Sequence, residues 1–238
     1  MKKLLVLACT LGIAQPAMAG SVNIGALSGV QADFRNLSED LGSALSYKGI
    51  APAEPLGVTG FDLGLEVTQT SLAKSASLWN KIGVSNISNL YVPKLHVTKG
   101  LPLDIDIGGF ISTIPTTGIN LYGGELRWAF LPGSTTMPAV AVRGSLTKLT
   151  GVSQLSLDTK GLDLSISKGF AMFTPYAGIG QVWTNSTPEA STGLAKESFT
   201  QSKLFVGGNL NLGITNLAAE YDKTGAAKSI SLKLGFRF

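Results

Sequence analysis

The feature that most constrains this chain is a hydrophobic period of two that runs from Gly60 to the last residue. The final segment shows it most cleanly. Ile230, Leu232, Leu234, Phe236 and Phe238 alternate with Ser229, Ser231, Lys233, Gly235 and Arg237. Successive side chains of a strand point to opposite faces, so such a segment carries one apolar and one polar face. Phe61, Leu63, Leu65 and Val67 alternate in the same way with Asp62, Gly64, Glu66 and Thr68. Leu103, Ile105 and Ile107 oppose Asp104, Asp106 and Gly108, and Tyr122 to Phe130 opposes Gly123, Glu125, Arg127 and Ala129. Val140, Val142 and Leu146 oppose Ala141, Arg143 and Ser145. Leu204 to Leu212 and Leu217 to Tyr221 continue the pattern, while Tyr91 to Thr98 and Met172 to Thr184 are further strands. Between Leu155 and Ile166 the parity changes, which predicts a bulge or turn near Thr159 to Gly161.

Charge decides which face is inside. No Asp, Glu, Lys or Arg is expected on the apolar face. The opposite face carries Asp62, Glu66, Lys94, His96, Asp104, Asp106, Glu125, Arg127, Arg143, Asp163, Lys203, Glu220, Asp222, Lys233 and Arg237. A charge facing lipid costs about 2–4 kcal/mol near the bilayer midplane. A soluble sandwich or lipocalin-like barrel would show the reverse arrangement. The expected fold is therefore a closed antiparallel transmembrane β-barrel of about ten strands; eight or twelve would also fit the turns. An even number puts both barrel ends on one side. The long connections Ser71 to Asn89 and Asn185 to Ser198 then fall outside, and the short turns Lys99 to Pro102 and Gly213 to Thr215 fall on the periplasmic side. Tyr91, Tyr122, Trp128, Phe130, Tyr221 and Phe238 lie near strand ends, where interfacial girdles form. Pro93 removes a ladder donor and predicts a bulge in its strand.

The chain opens with Lys2 and Lys3, an apolar run from Leu4 to Ala14, and the small-x-small site Ala17-Met18-Ala19. This is the pattern of a cleavable export signal over residues 1–19, and it is too short to span a bilayer. Cys9, the single cysteine, lies within it; a lipobox around Cys9 is the minor alternative. Cleavage would leave a chain without disulfides in an oxidising compartment, so another device must hold it together. Charged residues are 14% of the chain, against about a quarter in soluble domains, and mean hydropathy is +0.27. No apolar run after the signal reaches the length of a membrane helix. The net charge of +4 falls by two on loss of Lys2 and Lys3, too little to point to nucleic acid.

Residues 20–57 precede the barrel of residues 58–238 and carry a helical period. Val30, Phe34, Leu37, Leu41 and Leu45 recur at steps of three and four, with Asp33, Arg35, Asn36, Glu39 and Asp40 on the other face. Ser28 and Gln31 suggest a capping box, and Gly49 and Pro52 an end. Two placements stay open at this point. The helix packs against some apolar surface, or Phe34, Leu37, Leu41 and Leu45 form a plug at the barrel mouth. Ala51 to Pro55 reads as a linker.

The closing stretch Ser231-Leu-Lys-Leu-Gly-Phe-Arg-Phe resembles the C-terminal signature of Gram-negative outer-membrane barrels, with Leu232, Leu234, Phe236 and Phe238 matching its alternating apolar residues and final aromatic. Thr174-Pro-Tyr-Ala-Gly-Ile-Gly is similar to a strand start common in small barrels of that class. The resemblance covers the chain from about Gly60. It implies a bacterial outer-membrane location, lipid contact, and recognition of the terminal strand by the barrel assembly machinery.

Chemistry is sparse. His96 as a general base would need a nucleophile and an orienting carboxylate in reach, with Asp104 and Asp106 as the expected neighbours. The plainer reading makes His96 one member of a polar lumen network. Asp62/Glu66 and Asp104/Asp106 are carboxylate pairs on one strand face, expected to meet Lys and Arg across the lumen. No Gly-x-Ser-x-Gly elbow is present, a lone histidine argues against zinc, and no cofactor is expected. A ten-stranded lumen is little wider than one that side chains fill. The sequence thus favours a structural or interaction barrel, or a narrow and plugged channel. A lipid-modifying enzyme or protease using His96, and a soluble periplasmic β-protein, are the alternatives.

Overall fold

The computed structural model describes residues 23–84, 87–114 and 118–238; the export signal and the Cys9 lipobox lie outside the described residues. Ten strands follow one another in the order β1 Phe61–Ser71, β2 Asn89–Leu101, β3 Ile105–Ile114, β4 Ile119–Leu131, β5 Ala139–Thr150, β6 Leu155–Ser167, β7 Phe173–Pro188, β8 Glu197–Leu212, β9 Thr215–Thr224 and β10 Ala227–Arg237. Each pairs antiparallel with its neighbours in sequence, and β1 pairs with β10, closing the barrel. At the seam Leu65 faces Leu234 and Glu66 faces Lys233. The ends are tied by Phe61 N–H to Phe238 O at 2.6 Å, Phe238 N–H to Phe61 O at 3.0 Å, and stacked rings 5.6 Å apart. Closure leaves no strand of the ten as an edge strand, which is what a strand structure needs in lipid.

The exterior is greasy. Leu65 is 64% exposed, Ile179 59% and Leu204 58%, while Asp62, Glu66, Arg127, Arg143, Asp163 and Lys233 are all buried. Two-sidedness of this sign belongs to a barrel that faces lipid outward. The exterior is not free of charge, however. Lys148, Asp158, Lys223 and Lys228 also point outward near the ends of their strands that meet the outer loops, and Lys160 points outward from the outer half of β6, close to its middle. Charge is tolerated there because the cost falls toward the interface.

Three other sequence expectations are corrected. First, β6 has no bulge, and its pairing with β5 is continuous from Leu149↔Leu157 to Ala139↔Ser167. Leu155 and Leu157 change parity because they face inward onto the plug helix, whereas Leu162, Leu164 and Ile166 face outward. Second, Pro93 sits opposite Val67 in an unbroken β1–β2 ladder. The β2–β3 ladder ends at Leu95↔Ile111, so β2 has a free side where the missing donor would otherwise count. Third, β7 and β8 run further than the alternation suggested, to Pro188 and from Glu197, so their outer connection is shorter.

The N-terminal segment lies inside the barrel. A 3₁₀ turn, Ile24–Leu27, and a helix, α1 Gln31–Leu45, precede an irregular run to Gly60. No side chain caps α1: its first neighbour is Val30, which is 45% exposed. The expected Ser28–Gln31 box is absent because Gln31 bonds across to the β7–β8 connection, donating to Ala195 O at 3.0 Å and accepting from Ala195 N–H at 3.0 Å. Helix α1 touches β1, β2, β6, β7, β8 and β10. Gly42 is required there, since a Cβ would come within 2.6 Å of Thr184 Oγ1.

Polarity follows from these contacts. Asn23 N–H donates to Ile82 O at 3.1 Å, and Ile24 N–H donates to Gln154 Oε1 at 2.7 Å. Those partners and Ala195 lie in the β1–β2, β5–β6 and β7–β8 connections, all at the outer end. From Asn23 the described chain therefore runs from the outer mouth down through the lumen and enters β1 at the periplasmic base.

Candidate functional site

The site is the filled lumen, and its two halves differ. In the outer half Phe34, Leu37, Leu41, Ala44 and Leu45 of α1 pack with Leu72, Trp79, Ile82, Leu90, Val92, Leu149, Leu155 and Leu157 into one apolar core. Trp79 belongs to a short helix, α2 Ala76–Lys81, in the β1–β2 connection. Asp40, on the polar face of α1, is buried and fastens that connection by accepting from Lys74 N–H, Ser75 N–H and Ser75 Oγ, each at 2.8 Å. Glu39 takes ion pairs from Arg35 and Lys74. Burial alone would raise the Glu39 carboxyl, but the hydrogen bonds from Lys74 and Arg35 outweigh it and hold it below its ordinary range.

Below the helix the segment 46–57 has no regular structure, so its backbone groups find no partners within it. A buried unpaired carbonyl or N–H is costly, and the wall supplies the partners. Lys203 Nζ donates to Tyr47 O at 3.1 Å, Arg143 Nη1 to Gly49 O at 3.0 Å and Arg127 Nη1 to Pro52 O at 2.6 Å. Ala53 N–H donates to Ser167 Oγ at 3.1 Å and Leu56 N–H to Asp106 Oδ1 at 3.1 Å. Gly49 must be glycine, because a Cβ would overlap the Arg143 guanidinium. The wall cations are in turn neutralised by wall carboxylates. Arg127 Nη2 lies 2.6 Å from Asp106 Oδ2, and Arg143 Nη2 and Lys203 Nζ each lie 3.1 Å from Asp163 Oδ2.

Two side chains of the segment join the network. Lys48 Nζ pairs with Asp222 Oδ1 at 2.8 Å, both fully enclosed. Tyr47 Oη lies 2.7 Å from His96 Nε2, whose Nδ1 is 3.0 Å from Glu66 Oε1 but off the line of a hydrogen bond. His96 is 2% exposed, and its carboxylate neighbours are Glu66 and, at 4.0 Å, Glu125. Asp106 pairs with Arg127 instead, and Asp104 lies in the β2–β3 turn with a φ of 58°, outside the lumen. The expectation that Asp104 and Asp106 would flank His96 is thus corrected: the ladder Asp106↔Arg127 fixes one, and a left-handed turn expels the other. Lys94 lies 3.5 Å from Glu66, and Lys233 2.7 Å and Arg237 2.8 Å from Asp62. Arg143 also reaches Glu125 at 3.5 Å. No cluster of three or more metal-ligating side chains occurs among the described residues.

Sequence reasoning missed Tyr47 and Lys48, and with them the role of residues 46–57. Their only signal was one tyrosine and one lysine just before Gly49, in a stretch too short for any period.

An antiparallel barrel closed on itself, greasy outside and charged within, defines a transmembrane β-barrel of the bacterial outer membrane. This chain is a small, ten-stranded barrel of that class whose own N-terminal segment occupies the lumen. No family model matches the sequence, and no curated protein matches it. Several solved structures are similar in fold. The N-terminal β-barrel domain of Pseudomonas aeruginosa OprF is 15% identical, covering 74% of this chain and 97% of its own, with a TM-score of 0.40. The translocator domain of autotransporter NalP from Neisseria meningitidis is 9% identical, covering 90% and 99%, with a TM-score of 0.37. The outer membrane protein OprG from Pseudomonas aeruginosa is 12% identical, covering 79% and 99%, with a TM-score of 0.33.

Proposed function

We propose that this protein is a self-plugged outer-membrane barrel that acts as a structural or interaction barrel from its outer surface, without steady conduction. The observation that carries this reading is the occupancy of the lumen. Helix α1 fills the outer half, and five backbone groups between Tyr47 and Leu56 are bonded to the wall below it. Purified protein in planar bilayers should be silent, and deletion of residues 24–57 should produce steady current. Steady current from the intact chain would overturn the reading.

A second reading, a narrow gated channel, is favoured by how residues 46–57 are held. They are fastened by side-chain contacts alone, and their withdrawal would expose a path lined by Asp62, Glu66, Lys94, Glu125, Arg143 and Lys233. Brief openings that vanish when a disulfide joins Ala53→Cys to Ser167→Cys would support it. The enzyme reading places a catalytic base at His96, which here is engaged by Tyr47 and shut away from lipid. His96→Ala should leave the host's lipid A and phospholipids unchanged; an altered lipid profile would favour the enzyme. The terminal strand, with Leu232, Leu234, Phe236 and Phe238 on its lipid face, is the proposed contact for the barrel assembly machinery, and Phe238→Ser should lower the amount of folded barrel in the membrane.

A further inference from the structure

Outward-facing charge is scarce on this barrel, and two lysines of it lie together. Lys148 on β5 and Lys160 on β6 are diagonal neighbours, since Lys148 pairs with Asp158 and Leu146 with Lys160. Such positions on one face are about 7–8 Å apart. Both are exposed, and neither has an ion-pair partner among the described residues. Asp158, the acid beside them, accepts from Asn185 Nδ2 at 3.0 Å.

Their height in the membrane is marked by the aromatics in the same rows. Tyr122 on β4 pairs with Lys148, and Trp183 on β7 pairs with Lys160. Tyrosine and tryptophan facing outward toward a strand end sit at headgroup level. The two ammonium groups thus lie where phosphate groups of the outer leaflet would be. Long lysine stems allow the charge to reach that layer from a strand position slightly deeper.

A hollow lies between and beneath them. It is an open depression of about 330 Å³ lined by Tyr122, Gly124, Leu146, Lys148, Lys160 and, at its upper edge, Asp158. Gly124 points outward yet is not demanded by packing, since a Cβ there would meet nothing nearer than 3.9 Å. Leu146 lines it, and Leu126 and Leu162, the next outward positions after Gly124 and Lys160 on β4 and β6, continue the same exposed apolar face toward the hydrocarbon layer. Cations above an apolar trough complement one chemistry: an anionic headgroup carrying acyl chains.

We propose that the outer wall at β4–β6 is a binding site for a phosphorylated lipid, its phosphate held by Lys148 and Lys160 and an acyl chain laid over Gly124. A lysine near an anionic lipid surface contributes roughly a fivefold gain in affinity. The test is native mass spectrometry of the intact barrel extracted from vesicles of phosphatidylcholine alone or doped with phosphatidylglycerol or a phosphorylated glycolipid. The wild type should retain phosphorylated lipid in preference to phosphatidylcholine. Lys148→Gln with Lys160→Gln should lower that retention roughly twenty-fivefold, the paired Arg variant should keep it, and Gly124→Leu should weaken it by filling the trough. Heat-modifiable gel mobility would confirm that each variant is folded. No preference of the wild type for phosphorylated lipid would overturn the proposal, as would unchanged retention by the folded double Gln variant. Displacement of the lipid by inorganic phosphate alone would also overturn it, because the trough would then contribute nothing.

Discussion

The two halves of the lumen hold one continuous segment by opposite means. In the outer half a fifteen-residue helix satisfies its own backbone and needs only an apolar socket, which Leu72, Trp79, Leu149, Leu155 and Leu157 provide. In the periplasmic half the same chain is irregular, its carbonyls and N–H groups find no partners within it, and the wall meets them with Arg127, Arg143, Lys203 and Asp106. Hydrophobic contact is non-directional and tolerates sliding. A charged network fixes register, because each cation must meet a particular carbonyl and a particular carboxylate. The helix thus fills the mouth, while the irregular run sets where along the lumen the segment stops.

Several measurements sharpen or break this contrast, from the largest effect to the smallest. Lys48→Met strands Asp222 in a dry site and should cost about 3–5 kcal/mol in urea unfolding of the reconstituted barrel. Adding Asp222→Leu should recover most of that, and failure to recover would mean that the pair is not the fastening. Leu157→Ala in the outer socket should cost about 2–5 kcal/mol. No second substitution at a charged position should rescue it, and coupling to Lys48 would erase the distinction between the halves. Tyr47→Phe leaves His96 Nε2 without its partner and should cost about 1–3 kcal/mol, with faster proteolysis of the segment from the outer side as a second readout. The smallest effect concerns the rim. The carboxyl of Glu39 is held below its ordinary range, so its contribution is present above the usual glutamate value of about 4.3. It is lost as pH falls through the lower folded value. Hydrogen exchange in α1 should rise on such acidification, and Glu39→Gln should flatten that dependence.

Much of the barrel was legible in the residues, and the reason is geometric. A strand that separates lipid from a polar interior must alternate, so Leu63/Asp62, Ile107/Asp106 and Leu234/Lys233 announce their faces one by one. Where the rule failed, the interior had changed character. Leu155 and Leu157 looked like a register slip because the lumen beside them is apolar, filled by Phe34 and Leu37. Asp104 kept the alternation in sequence, but its strand begins only at Ile105, and nothing local to Leu103-Asp104 distinguishes a strand residue from one in a left-handed turn. Lys148 and Lys160 broke the rule of an uncharged exterior because depth in the membrane, not facing alone, sets the cost of charge.

The sequence by itself determined the closed antiparallel barrel, its sidedness, the N-terminal helix and the placement of its long connections outside, since each follows from periods and charges that neighbouring residues carry. Only the tertiary structure decided that this helix enters the lumen from the outer mouth, that His96 meets Tyr47 and Glu66, and that the wall arginines serve the carbonyls of Gly49 and Pro52. Those are contacts between residues far apart in the chain. They arise when ten strands close around a segment whose own sequence says only that it cannot satisfy itself.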